Sequence, residues 1–132
     1  MHREVKWAIV TGASGGIGRE LALEITRRGY HPILVGRSSE SLDAVALSIQ
    51  QEFEIEASTL LADLSDESGW RSIKGFIDEH MLEPQVLINN AGVGIYGNLS
   101  DTESEDLSSM IDINIRATTE LTRIFSRDFA EQ

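Results

Sequence analysis

Gly12, Gly16 and Gly18, within TGASGGIG over residues 11–18, lie between an apolar run ending at Thr11 and an amphipathic run starting at Ile17. A phosphate-binding turn needs that context. The first glycine permits a sharp exit from a strand, the second lets backbone approach an anion closely, and the third lets the following helix pack tightly on the sheet. The unpaired N–H groups and positive dipole end of that helix then face the anion. Gly12, Gly16 and Gly18 take those three tasks, with Ile17 inside the turn and the Ser14 hydroxyl as a further donor. The chemistry this implies is recognition of a dinucleotide pyrophosphate. The plainer alternative is a simple strand-to-helix turn.

A literal Gly-x-Gly-x-x-Gly string occurs elsewhere, at Gly92, Gly94 and Gly97 (GVGIYG). It follows an apolar run, but the polar stretch NLSDTESED comes next rather than a helix start, so phosphates would meet no helix N-terminus there. It is read as a decoy.

The second strand ends Val35-Gly36-Arg37-Ser38. A site for NAD presents an acid at about this place to hold the ribose 2′-OH. No carboxylate is present, and Arg37, beside Ser38, offers a forked cation suited to a 2′-phosphate. NADP is therefore favoured over NAD, with an ordinary surface arginine as the alternative. Replacing Gly36 by Asp is expected to move the preference toward NAD.

The elements that must position these residues alternate between strand and helix, the pattern of a parallel sheet covered on both faces. Val5 to Thr11 reads as a strand. Ile17 to Arg28 reads as a helix with Ile17, Leu21 and Ile25 on its core stripe and Gly29 as its stop. His31 to Gly36 is a short buried strand. Ser38 caps a helix with Leu42, Val45, Ala46, Ile49 and Phe53 at helical spacing. Ile55 to Leu64 carries the third strand, and Ser65 caps a helix with Trp70, Ile73, Ile77 and Met81 on its core stripe. Val86 to Asn89 is the fourth strand. From about Thr102 one helical pattern runs to the end, with Leu107, Ile111, Asn114, Thr118, Leu121 and Phe125 on one face. Residues 1–132 read as a single α/β domain, about half of a doubly wound sheet.

Composition narrows the partners. The formal charge is −11, yet residues 1–37 hold six Lys/Arg against three Glu. An anionic ligand is drawn to that end, whereas a nucleic acid is repelled by most of the surface. The absence of cysteine leaves no disulfide framework, thiolate nucleophile or thiolate metal site, and no metal is expected. The N-terminus lacks the apolar stretch of a signal peptide or membrane span, so a soluble, cytoplasmic protein is expected, with no membrane partner.

Together TGASGGIG, Asp63-Leu64, the tetrad Asn89-Asn90-Ala91-Gly92 and the in-stripe Asn114 resemble the N-terminal half of the short-chain dehydrogenase/reductase family. The resemblance covers nearly the whole chain. It implies a Rossmann-type doubly wound sheet, here truncated to about four strands in the order 3-2-1-4, with helices on both faces. It also implies hydride transfer between a nicotinamide dinucleotide and a carbonyl or alcohol substrate. The matching Asp63 would contact the adenine amino group, with Leu64 beside it. The Asn90-Ala91-Gly92 backbone would meet the nucleotide ribose, and Asn114 would bend its helix and hold a water of the proton relay. From the residues alone, Asp63 reads rather as a strand-end acid that helps cap the helix near Ser65. Asn89 and Asn90 could satisfy turn backbone, and Asn114 could be a hydrogen-bonded core amide.

The family's tyrosine, four residues before a lysine, has no counterpart here: four residues after Tyr30 and Tyr96 come Leu34 and Ser100. Asn114 alone matches the family's catalytic tetrad, because the Ser, Tyr and Lys are absent. The 132 residues are therefore expected to be an N-terminal part of an NADP-dependent oxidoreductase and catalytically incomplete by themselves. The alternative is a non-catalytic dinucleotide-binding or interaction module. A Rossmann methyltransferase is disfavoured by the missing acid after the second strand and by the NNAG tetrad. In the family order the fourth strand would leave an apolar edge unpaired, so a homo-oligomer is expected.

Overall fold

The computed structural model describes residues 4–132. Four parallel strands, β1 (Trp7–Thr11), β2 (His31–Gly36), β3 (Ser58–Leu61) and β4 (Pro84–Ile88), lie in the order β3-β2-β1-β4. The order expected from the family resemblance is therefore the observed one. Helices α1 (Gly16–Arg27), α2 (Ser39–Phe53) and α3 (Glu67–Glu79) make the crossovers. After β4 come a loop, a single 3-10 turn (Leu99–Asp101), α4 (Ser104–Ile111), a π-helical stretch (Asp112–Ala117) and α5 (Thr118–Ala130).

Strand alternation divides the core into two layers, because successive side chains point to opposite faces. Val10 and Leu34 point one way and bury with Ala22 and Leu23 of α1 and Leu42, Val45 and Ile49 of α2. Ile9, Ile33 and Val35 point the other way and bury with Trp70, Ile73 and Ile77 of α3 and Ala117, Leu121 and Phe125. The site-bearing ends of the strands are thus clamped between two apolar layers. Among the described residues no helix is long and apolar enough to cross a membrane.

Several local expectations are corrected. Ile17 is 73% exposed, and the buried face of α1 is Gly18, Ala22, Leu23 and Thr26. The reason is close packing at the turn, where only glycine fits under the first helical turn. Strands β1 and β3 are shorter than expected: Val5 is exposed and lies before β1, and β3 covers Ser58–Leu61 only, although Ala62 N–H still bonds to the Gly36 carbonyl at 2.9 Å. Strand β4 instead starts at Pro84, two residues earlier than expected, and ends at Ile88, before Asn89. Helix α3 is capped by Asp66, whose carboxylate accepts from Ser68 N, rather than by Ser65. Met81 lies beyond α3 in a left-handed conformation and is 87% exposed, so it does not join the core.

The long C-terminal pattern begins at Ser104 and is interrupted. Ile111 and Asn114 are exposed, and the buried line after the interruption is Ile113, Ala117, Leu121 and Phe125. A π-helical stretch widens the turn and so rotates the buried face relative to α4. The cap at Ser38 is observed, its Oγ accepting from Ser41 N at 3.3 Å.

Candidate functional site

The turn after β1 is built by backbone that side chains disfavour. Gly12 and Gly16 have φ of +63° and +58°, in the left-handed region where L residues are strained. A Cβ on Gly12 would also stand 2.9 Å from Ala91 Cα. Gly18 has an ordinary conformation but an extreme approach: a Cβ there would lie 1.8 Å from the Gly12 carbonyl oxygen. Helix α1 therefore rests directly on the turn. Its N-cap, Gly15, supplies no side-chain hydrogen bond, in contrast to Ser38 on α2 and Asp66 on α3. The leading N–H groups of α1 keep their donors free of any side-chain acceptor, and nothing within 4 Å would meet a Cβ on Gly16.

Thr11 joins this turn to the segment after β4. It is 1% exposed, and its Oγ1 accepts from the amides of both Asn90 and Ala91 at 3.0 Å while donating to the Ile88 carbonyl at 3.4 Å. Asn90 Nδ2 donates to the Gly12 carbonyl at 3.1 Å, and Asn89 Nδ2 donates to Thr122 Oγ1 at 3.0 Å. The NNAG tetrad thus ties the glycine turn to α5. Asn114, inside the π-helical stretch, clamps Val93 in both directions. Its Oδ1 accepts from Val93 N at 2.9 Å, and its Nδ2 donates to Val93 O at 2.7 Å.

Between these pieces lies an open cleft of about 320 Å³ over the C-terminal ends of β1 and β2. Gly12, Ser14, Arg37, Ser38, Leu64, Ala91 and Gly92, all singled out in the sequence, line it. Gly16, Ile17, Gly18, Asp63, Asn90 and Asn114 are not on its wall. Gly18 and Asn90 sit behind Gly12, and Ile17 faces outward. Val35, Ala62, Val93 and Ile113 line the cleft without having been singled out. Their apolar character marks them only as core, so no local signal distinguishes them. Thr11 carried a detectable signal, a lone polar residue closing an apolar strand. Gly36 is crowded: a Cβ there would approach Leu42 Cδ2 at 3.1 Å and Ser14 Cβ at 3.4 Å. An Asp at 36 therefore alters packing as well as charge.

Arg37 forms no salt bridge among the described residues. Asp63 is exposed at the strand end, and its Oδ1 accepts from Ser65 Oγ at 2.7 Å and Ser65 N at 3.0 Å. The Ser65 hydroxyl, then its amide, hold the Asp63 carboxyl below its ordinary range, with a smaller pull from the Arg37 charge. The Arg37 guanidinium thus belongs to the cleft wall, while the Asp63 carboxylate, between the lining residues Ala62 and Leu64, and the uncapped start of α1, two residues after the lining Ser14, adjoin that wall along the chain. That set of groups can hold an extended ligand carrying phosphates and a hydrogen-bonding ring.

Many known proteins match this chain in sequence or in fold. The short chain dehydrogenase family model matches residues 6–132. The very-long-chain 3-oxoacyl-CoA reductase-B of Danio rerio is 36% identical over 124 residues, which are 90% of this chain and 39% of that protein. A short-chain dehydrogenase from Sphingobium yanoikuyae, solved in complex with NADPH, superposes with a TM-score of 0.83 at 30% identity, covering 96% of this chain and 48% of that one. A metagenomic short-chain oxidoreductase in complex with NADP gives 0.85 at 33% identity, covering 93% of this chain and 56% of that one. The chain spans roughly two-fifths of the length of the curated relative and about half of the solved ones. With the family match over residues 6–132 and the strand order and turn geometry described above, the chain belongs to the short-chain dehydrogenase family.

Proposed function

We propose that the chain is the cofactor-binding part of an NADP(H)-dependent oxidoreductase that moves a hydride between nicotinamide C4 and the carbon of a carbonyl or alcohol. The uncapped start of α1 beside Gly12 and Gly16, with Arg37 free across the cleft, is the observation that carries this reading. Gly12, Ser14, Gly16, Ile17 and Gly18 form the pyrophosphate turn, whose amides donate to phosphate oxygens. Arg37 and Ser38 take the 2′-phosphate, where a planar fork gives two charge-assisted hydrogen bonds. Asp63 and Leu64 serve the adenine side, and the backbone of Asn90, Ala91 and Gly92 serves the ribose. The relatives solved with NADPH and NADP support the same choice of cofactor.

In reduction, the hydride goes to the carbonyl carbon and a proton must reach the oxygen. By its match to the family's asparagine, Asn114 is assigned to the relay that supplies the proton; its side chain also clamps Val93, on the loop bordering the cleft. The 132 residues contain no tyrosine four positions before a lysine. General acid catalysis needs such a group within hydrogen-bond reach of the oxygen. The same reading therefore has these residues bind cofactor without turning it over.

Calorimetric titration of the 132-residue chain with NADP, NAD and adenosine 2′,5′-bisphosphate tests the proposal. NADP and the bisphosphate are expected to bind and NAD to bind more weakly. Tighter binding of NAD would refute the 2′-phosphate site, and absence of binding by all three would refute the cofactor reading.

A further inference from the structure

We infer that Ser65 and Gly69 are positioning residues for Asp63, holding its one unpartnered carboxylate oxygen ready to read the amino group of an adenine ring. This rests on the cofactor reading above, in which Asp63 serves the adenine side of the cleft. Asp63 lies two residues past the end of β3, so the strand ladder does not fix it. Two other constraints converge on it. Ser65 takes Oδ1 with both its hydroxyl, at 2.7 Å, and its amide, at 3.0 Å, while Oδ2 has no hydrogen bond among the described residues. A carboxylate with one oxygen doubly bound in this way is held in one rotamer, and its second oxygen keeps a fixed direction.

The main chain of the same residue is held by α3. Gly69 is buried in that helix, and a Cβ there would lie 1.7 Å from the Asp63 carbonyl oxygen and 2.6 Å from the Asp63 carbonyl carbon. Only a hydrogen fits between the helix and this peptide. The Asp66 amide also bonds to the Asp63 carbonyl, at 3.3 Å. The arrangement repeats the approach of Gly18 to the Gly12 carbonyl at 1.8 Å. One helix thus rests on the phosphate turn and another on the peptide that carries the adenine-side acid, and each contact requires a glycine. Gly75, farther along α3, meets nothing within 4 Å. A side chain at 69 must push the Asp63 peptide aside or lift α3. Either movement re-aims Oδ2.

The readout is the ratio of affinities for NADP and its hypoxanthine analogue, in which an oxo group replaces the adenine 6-amino group. Both are titrated calorimetrically into the 132-residue chain. A donor lost to a charged acceptor is worth about tenfold or more in affinity, so the wild-type chain should prefer NADP by about that factor. Ser65→Ala and Gly69→Ala should lower the preference to about twofold or less, and Gly75→Ala, the same chemical change elsewhere on α3, should leave it intact. A purely structural role would lower stability and leave the ratio unchanged. An unchanged ratio in Ser65→Ala and Gly69→Ala overturns the inference, as does a wild-type chain that binds both dinucleotides equally. Should Gly69→Ala fail to fold, the surface substitution Ser65→Ala decides alone. A wild-type chain that binds NADP in neither form overturns the cofactor reading itself, a separate outcome.

Discussion

Replacing Gly15, Gly16 and Gly18 one at a time by alanine should give three different outcomes, because the three differ in backbone conformation and in the space around a Cβ. Gly15 has φ of 177° and no atom within 4 Å of a built Cβ. Extended backbone suits alanine, so Gly15→Ala should change folding stability by about 0.5 kcal/mol or less. Gly16 is equally uncrowded but has φ of +58°. Alanine there pays for a left-handed conformation, about 1–2 kcal/mol. Gly18 has no unusual conformation, yet its Cβ would stand 1.8 Å from the Gly12 carbonyl oxygen. Helix and turn would have to separate by roughly 1.5 Å to reach ordinary contact, so Gly18→Ala should cost about 3 kcal/mol or more. Urea unfolding followed by circular dichroism measures all three, and midpoints should fall in the order Gly15→Ala, Gly16→Ala, Gly18→Ala with similar slopes. Binding adds an independent axis. The new methyl of Gly16→Ala enters the open space before the α1 amides, so NADP affinity should fall about tenfold or more, out of proportion to the stability lost. A Gly18→Ala chain as stable as Gly15→Ala would refute the close-packing account, and a Gly16→Ala chain with undiminished affinity would refute the phosphate site.

Arg37→Ala should weaken NADP binding by about tenfold to a hundredfold and leave NAD nearly unaffected, since a charge-assisted pair to the 2′-phosphate is lost; equal losses for the two dinucleotides would contradict that role. Asn114→Ala removes both hydrogen bonds to Val93 and should raise the exchange rate of the Val93 amide while leaving strand amides of β1 slow. Unchanged protection of Val93 in native-state hydrogen exchange would show that the clamp does not hold the loop. Lys74 bridges α3 and α5, bonding Asp128 at 2.6 Å and Asp78 at 2.8 Å. Asp128, then Asp78, raise its pKa above the ordinary lysine value of 10.5. Its contribution is therefore complete below that value and is lost as pH rises through the raised one. Between neutral pH and about pH 11 the wild-type urea midpoint should fall more than that of Lys74→Met; parallel curves would exclude the bridge as a source of stability.

What local pattern could determine, the chain's own order of residues determined. The alternation of apolar runs with 3.6-period stripes prescribes strands and helices because each segment's apolar face is written within it. The left-handed glycines of TGASGGIG mark the turn for the same reason, since backbone conformational freedom belongs to the residue itself. Ser38 was legible as a cap because its partner, Ser41 N, lies in the first turn of the same helix. Elsewhere packing overrode the local reading. Ser65 is the expected cap of α3, but Asp66 caps it while Ser65 turns back to Asp63. Ile17 looked like the start of a core stripe, but the space beneath the first turn of α1 is already filled by the Gly12 carbonyl, which only Gly18 can approach.

The contacts that shape the cleft were decided by tertiary structure alone. Thr11 binds Asn90 and Ala91 across separations of 79 and 80 residues, and Asn114 binds Val93 across 21. No periodicity encodes such pairs, because hydrogen bonds between distant segments depend on strand order and on how each helix is seated. The π-helical stretch around Asn114 is of the same kind: it moves the buried line to Ile113, Ala117, Leu121 and Phe125. That frees Asn114 from the core stripe and turns its amide toward the loop beside the cleft.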